Sequence, residues 1–262
     1  MLRVTFKFVM DLLSPNKLAF CALLAGAVTG AVTVTDVTSH LRSMRDATDF
    51  RASGRLVRVL GEQRKTYQFS MRAKAVGGLL KIFCEVTDPA PARVRLLLES
   101  YADGRATIRT GHAGDAAPAE LPFARWGERM LDTDFSFEDL MESQFVWRNQ
   151  TLGDESMFGA RPSVVLKSTP GPQDRTHYAS VTSWLDREIF YPLREEKVVK
   201  GSGEVKEFVF FGLRQSKGIW SASQIECKIR GKAGSTLFIV TRGTEKARSD
   251  ERAFDPALLV RP

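Results

Sequence analysis

Side chains suited to chemistry are scarce in this chain. Three histidines, His40, His112 and His177, are spread along 262 residues, and none stands at the spacing of a metal pair. His177, beside Tyr178, is the one candidate general base, and a lone histidine on a strand is more often structural or solvated than catalytic. Asp186 follows Trp184-Leu185 at a strand end, where an aspartate serves a turn. The patterns C-x-x-C, H-E-x-x-H, G-x-S-x-G and G-x-x-x-x-G-K-[ST] are all missing. The chain is therefore read as a non-enzyme, with no catalytic residue, metal or cofactor.

The remaining reactive groups are thiols. Cys21 follows Phe20, too bulky for a lipid-modified N-terminus. Cys84 and Cys227 are either one disulfide closing a long loop or two unpaired buried thiols on neighbouring strands. Arg93 and Arg95, or Lys228, Arg230 and Lys232, could track a phosphate backbone. Their alternation with apolar residues makes them the wet side of a half-buried sheet instead, and no nucleic-acid partner is expected.

Large apolar side chains on strand-like stretches are the abundant resource. Phe69, Met71, Phe83, Leu97, Trp184, Tyr191, Phe210, Trp220 and Phe238 are the candidate lipid-binding residues. Each taken singly is ordinary core. A long antiparallel sheet must curl, however, and its hollow apolar face must be covered by helices, by another subunit or by an apolar ligand.

The elements that position these residues follow from period and turn chemistry. Lys7 and Lys17 precede an uncharged run from Leu18 to Val34, the pattern of a secretory signal, with cleavage expected after Ala25-Gly26-Ala27. Residues 1–27 are read as signal peptide and 28–262 as the mature domain, located in the periplasm; an uncleaved inner-membrane anchor is the alternative. Processing lowers the formal charge from +7 to +5. Asp36 is read as the cap of a short amphipathic helix to Asp46, and Ser136 with Asp139 as a capping box opening a second helix to Gln144. Most of the rest alternates with period two: Tyr67–Ala75, Leu79–Val86 and Arg93–Tyr101, then strands from Val146, Arg161, His177, Leu193, Val205, Trp220 and Thr236. Short Gly- and Pro-rich links predict consecutive hairpins rather than βαβ crossovers. Residues 111–120 read as a surface loop dividing two halves of one sheet, and the tail after Glu245 as charged and loosely held except for a last turn near Leu258 and Leu259.

Several stretches are familiar. Phe137-Glu138-Asp139-Leu140, Gly159 to Leu166, Ser183-Trp184-Leu185-Asp186 with Tyr191-Pro192-Leu193, Phe208 to Leu213 and Gly218-Ile219-Trp220 resemble the outer-membrane lipoprotein-sorting protein family, similar in architecture to the periplasmic carrier LolA. The likeness spans about Phe50 to Arg242. It implies an α+β fold: a large curved antiparallel sheet, a half-open barrel, with helices covering its concave face. It also implies a cavity for acyl chains of lipoproteins or other lipids, membrane lipoprotein-transfer components as partners, and a monomer. The alternative is an envelope sensor or adaptor using the same fold to bind a protein; an unrecognised hydrolase is a third option.

Overall fold

The computed structural model describes residues 31–90 and 93–262. The expected signal peptide lies outside them. No helix among the described residues is long and apolar enough to cross a membrane.

The one α-helix among the described residues, α1 (Val34–Asp46), starts two residues before the expected cap. Thr33 is the N-cap and Asp36 the third helical residue: Asp36 N–H donates to Thr33 Oγ1 (3.2 Å) while Thr33 N–H donates to the Asp36 carboxylate (2.9 Å). This reciprocal box satisfies two donors that a helix start leaves bare. Val37 and Leu41 are buried. Arg45 anchors the other end by donating to the carbonyls of Gly78 (3.2 Å) and Ser100 (2.5 Å).

Among the described residues fourteen strands form one antiparallel sheet. The first half comprises β1 (Asp49–Leu60), β2 (Gln63–Val76), β3 (Leu79–Asp88), β4 (Val94–Tyr101), β5 (Ala106–Gly111) and β6 (Ala119–Glu120). The second comprises β7 (Asn149–Leu152), β8 (Ser156–Phe158), β9 (Arg161–Thr169), β10 (Tyr178–Asp186), β11 (Pro192–Val199), β12 (Val205–Ser216), β13 (Ile219–Ile229) and β14 (Ser235–Glu245). The spatial order is β6-β5-β4-β3-β2-β1-β14-β13-β12-β11-β10-β9-β7, with β8 on β9, so two meanders join where β1 meets β14 and the sheet stays open. At that seam a register shift falls at Ser53/Gly54. A Cβ on Gly54 would sit 1.9 Å from the Ile239 carbonyl oxygen, so only hydrogen fits. Gly54→Ala is expected to push β1 off β14 and to cost about 1–3 kcal/mol, the usual scale of overpacking. A urea midpoint equal to wild type would contradict this.

The hollow side of the sheet is filled chiefly by the irregular segment between β6 and β7. Trp126, Met130, Phe135 and Met141 join one apolar core with Leu96, Leu98 and Ile108 of the first half and Phe208, Phe210 and Cys227 of the second. Phe135 meets Phe208 edge-on, ring centres 5.7 Å apart. Asp134 clamps the segment to the seam, accepting from Arg58 (2.8 Å) and from Thr236 Oγ1 (2.9 Å). The expected helix over Ser136–Gln144 is instead two 3-10 turns, Phe137–Met141 and Ser143–Phe145, broken at Glu142, whose backbone is left-handed (φ 46°, ψ 40°). The capping box forms, but so short a run gains too little from its own backbone to hold an α-helix against tertiary ties.

The tail has its expected last turn near Leu258 and Leu259 but is held more closely than its composition suggests. Its turns at Glu251–Phe254 and Pro256–Leu259 lay Phe254 and Leu259 onto Phe83 and Leu97 on the outer face. Lys74 and Arg72 bind the Ser249 and Ala253 carbonyls, each at 2.6 Å. This docking supplies the second cover that a strand apolar on both sides requires. The cysteines are free: Cys84 on β3 and Cys227 on β13 are both buried, with β2, β1 and β14 between their strands. They neither pair nor occupy neighbouring strands. Burial pushes the Cys84 thiol up to about 12 and that of Cys227 higher still, which leaves both protonated and poorly reactive.

Candidate functional site

Between the inner face of the sheet, α1 and the Phe135–Glu142 stretch lies a cavity of about 500 Å³. Of the nine residues expected to bind lipid, Met71, Tyr191, Phe210, Trp220 and Phe238 line it. Phe69 sits behind Phe238, stacked on it at 4.4 Å. The other three do not reach it. Phe83 and Leu97 face outward under the C-terminal tail, and Trp184 lies outside the cavity lining with the Arg194 guanidinium 4.9 Å from its ring centre. The reason is strand parity: Leu96 and Leu98 point inward, so Leu97 between them points out.

Sequence reasoning missed the polar end of the cavity, where Asp139, Glu142, Glu195 and Lys197 line the wall. Lys197 on β11 and Lys206 on β12 are direct register partners, and both reach the Asp139 carboxylate; Lys197 Nζ lies 3.6 Å from it and Lys206 forms a tight ion pair. Tyr178 Oη donates to Asp139 at 2.5 Å. Glu195 lies 3.6 Å from Lys197 and accepts from Gln144 (3.0 Å) and Ser183 (3.2 Å). Such a cluster survives burial only because each charge is paired and hydrogen-bonded. The signal that could have found it is an inward-facing Lys at each of two strand positions where period two demands apolar residues.

The charges tune one another. Burial raises the Asp139 carboxyl, but Lys206 and Lys197 outweigh it and hold the group down at about 2. For Lys197, burial disfavours the charge, yet Glu195, Asp139 and Glu142 prevail and raise its pKa. Glu142 differs from both. It is exposed at the cavity wall, and no hydrogen bond or ion pair of its carboxylate is found among the described residues. The protein crowded around it and the Glu195 charge push it up, against the pull of Lys197.

His177 and Asp186 have structural surroundings. His177 stacks on Phe123 at 4.4 Å, with Nδ1 3.5 Å from the buried Glu138 carboxylate. Asp186 accepts from the backbone of Glu188 (3.0 Å) and is bound by Arg161 (2.6 Å), a turn-forming role. Among the described residues no group of three His, Cys, Asp or Glu is placed to hold a metal ion. The arrangement can enclose an apolar chain and present it with a charged end.

Three solved structures share this architecture. An outer membrane lipoprotein-sorting protein domain from Vibrio parahaemolyticus has 17% identity and a TM-score of 0.75, covering 85% of this chain and 96% of that one. A DUF1329 family protein from Desulfovibrio piger ATCC 29098 has 16% identity and a TM-score of 0.78, covering 86% and 96%. A LolA superfamily protein from Nitrosomonas europaea has 15% identity and a TM-score of 0.66, covering 86% and 98%. None of the curated proteins compared with the chain matches it. A family model described as "-like: Uncharacterized protein" matches residues 121–261, more than half of the chain. The chain belongs to that family, and its fold is the LolA-like curved sheet of the lipoprotein-sorting proteins.

Proposed function

We propose that the protein is an exported carrier or binding protein, working in the periplasm after loss of residues 1–27, that holds acyl chains of lipoproteins or other lipids. The observation that carries this reading is the cavity itself: an opening of about 500 Å³ walled by Met71, Phe210, Trp220, Ile225 and Phe238. If each methylene takes roughly the 30 Å³ of a water molecule, it accommodates on the order of 15 of them. Burying each contributes about 0.8 kcal/mol, so uptake needs no cofactor, and release needs only an acceptor of comparable apolarity. The fold shared with an outer membrane lipoprotein-sorting domain supports the same reading.

The test is native purification followed by solvent extraction and mass spectrometry. Acyl lipid at near one equivalent per chain is the expected result. A preparation free of lipid that instead holds a stable protein complex would replace the carrier with the adaptor reading.

A further inference from the structure

We infer that the outer face of the sheet carries a second site, at the β1–β14 seam, where Arg51, Arg72 and Arg242 bind a phosphoryl oxyanion. Strand parity and register build it. Phe69, Met71 and Ala73 of β2 face the core, so Ser70 and Arg72 face out. Direct pairing carries that side across two neighbouring strands. One row runs Arg72, Arg51, Thr244 and the next runs Ser70, Ser53, Arg242, on β2, β1 and β14 in turn. These six side chains surround a hollow of about 460 Å³, closed on one side by Ala253 of the docked tail. Every polar side chain in its lining is a hydrogen-bond donor, and none is a carboxylate.

Arg51 and Arg72 are direct register partners, a position at which like charges repel. Among the described residues neither has an acidic partner: Arg51 Nε lies 3.5 Å from the Ser249 hydroxyl, and Arg72 Nε donates to the Ala253 carbonyl at 2.6 Å. The carboxylates close by in the sheet are engaged elsewhere. Glu85 is bound by Arg95 (2.9 Å), and Asp49 accepts from the backbone N–H groups of Arg248 (2.9 Å) and Ser249 (3.3 Å). A local rule broken without internal compensation marks a place where something else supplies it, and an oxyanion between the two guanidinium groups does so. Arg72 is already positioned, its guanidinium lying 3.8 Å from the Phe83 ring centre with its Nη groups left for a ligand. Guanidinium forks match the oxygens of a phosphoryl group in pairs, and a phosphate monoester brings three such oxygens against the two of a carboxylate. At roughly 30 Å³ per non-hydrogen atom the phosphoryl group takes on the order of a third of the hollow, which leaves room for the alcohol part of an ester.

The test is calorimetric titration of the protein at pH 7.5 with sn-glycerol 3-phosphate and with acetate, ionic strength being held constant with sodium chloride. Glycerol 3-phosphate should bind about tenfold or more tighter than acetate. Arg51→Gln with Arg242→Gln should weaken it about tenfold or more, while Arg42→Gln with Arg64→Gln, which removes the same charge from exposed positions elsewhere, should change it less than twofold. Equal weakening by both pairs would reduce the site to diffuse attraction, and acetate binding as tightly as the phosphate would overturn the ligand class. Sedimentation with phosphatidylglycerol vesicles, against phosphatidylcholine vesicles, separates the sources. Capture that is lost in the Arg51/Arg242 variant assigns a lipid head group, and glycerol 3-phosphate binding without capture assigns a soluble phosphate; capture without glycerol 3-phosphate binding overturns the site. None of these results bears on acyl lipid extracted from the cavity, so the carrier reading and this one stand or fall separately.

Discussion

Asp139→Ala should cost about 3–5 kcal/mol of folding stability, the scale for removing one partner of a buried ion pair. The substitution leaves Lys206 at 5% exposure without its carboxylate, and Lys197 at 2% with Glu195 as its nearest remaining counter-charge. It also removes the acceptor of Tyr178 and the cap of Ser136, so the turn that carries Glu142 loses its tie to β11 and β12. The sign with pH follows from the direction of the shift. The Asp139 carboxyl lies at about 2 in the folded protein against an ordinary 3.8, so its contribution is complete above the ordinary value and is lost as pH falls from about 4 through 2. Urea denaturation at pH 7 and at pH 3 measures both effects. The gap between wild type and variant should narrow at the lower pH; a loss below about 1 kcal/mol at pH 7 would mean that the lysines find other partners. Replacing Asp139 by Leu together with Lys206 by Met should recover part of the loss, because the desolvation cost goes with the charges.

Affinity for a homologous series of alkyl chains should rise about fourfold per methylene, the equivalent of 0.8 kcal/mol each, until the cavity is full. Six methylenes then separate ligands by roughly a thousandfold or more. The slope arises from a wall that is apolar over most of its extent, with Ile225 half-buried on β13 directly paired with Phe210 and Phe238. Ile225→Trp places more bulk in the space a chain would occupy, so the rise should stop at shorter chains while the slope below that limit persists. Isothermal titration with chains of increasing length reads both quantities. Equal affinity for short and long chains would show that ligands attach outside the cavity, and an unshifted limit in Ile225→Trp would move the site away from β13.

The elements most legible in the sequence were those whose residues alternate without interruption. From Leu79 onward, inward Leu80, Ile82 and Cys84 alternate with Lys81, Phe83 and Glu85, and β3 begins where the pattern does. β9 keeps its expected span of Arg161–Thr169, and the Gly-rich links are hairpin turns throughout the second half. The seam strand β1 escaped detection because Gly54 and Arg58 interrupt the face that carries Leu56. Its pairing with β14, almost two hundred residues away, is invisible to local pattern. Among the nine aromatic or aliphatic candidates, period two told which residues belong to strands but not which face is hollow, so Phe83, Leu97 and Trp184 were grouped with true cavity residues.

The amino-acid sequence by itself determined the fold class, the antiparallel connectivity and the apolar endowment of the sheet, because period, turn residues and short links are local properties that need no partner to be read. Tertiary structure alone decided what fills the hollow. Trp126, Phe135 and Met141 come from a stretch with no regular period, and the tail docks on the outer face through Phe254 and Leu259. It also decided the charged end of the cavity. Asp139, Lys197 and Lys206 are ordinary surface residue types, and only the meeting of three separate segments, which buries all three side chains, turns them into a paired cluster.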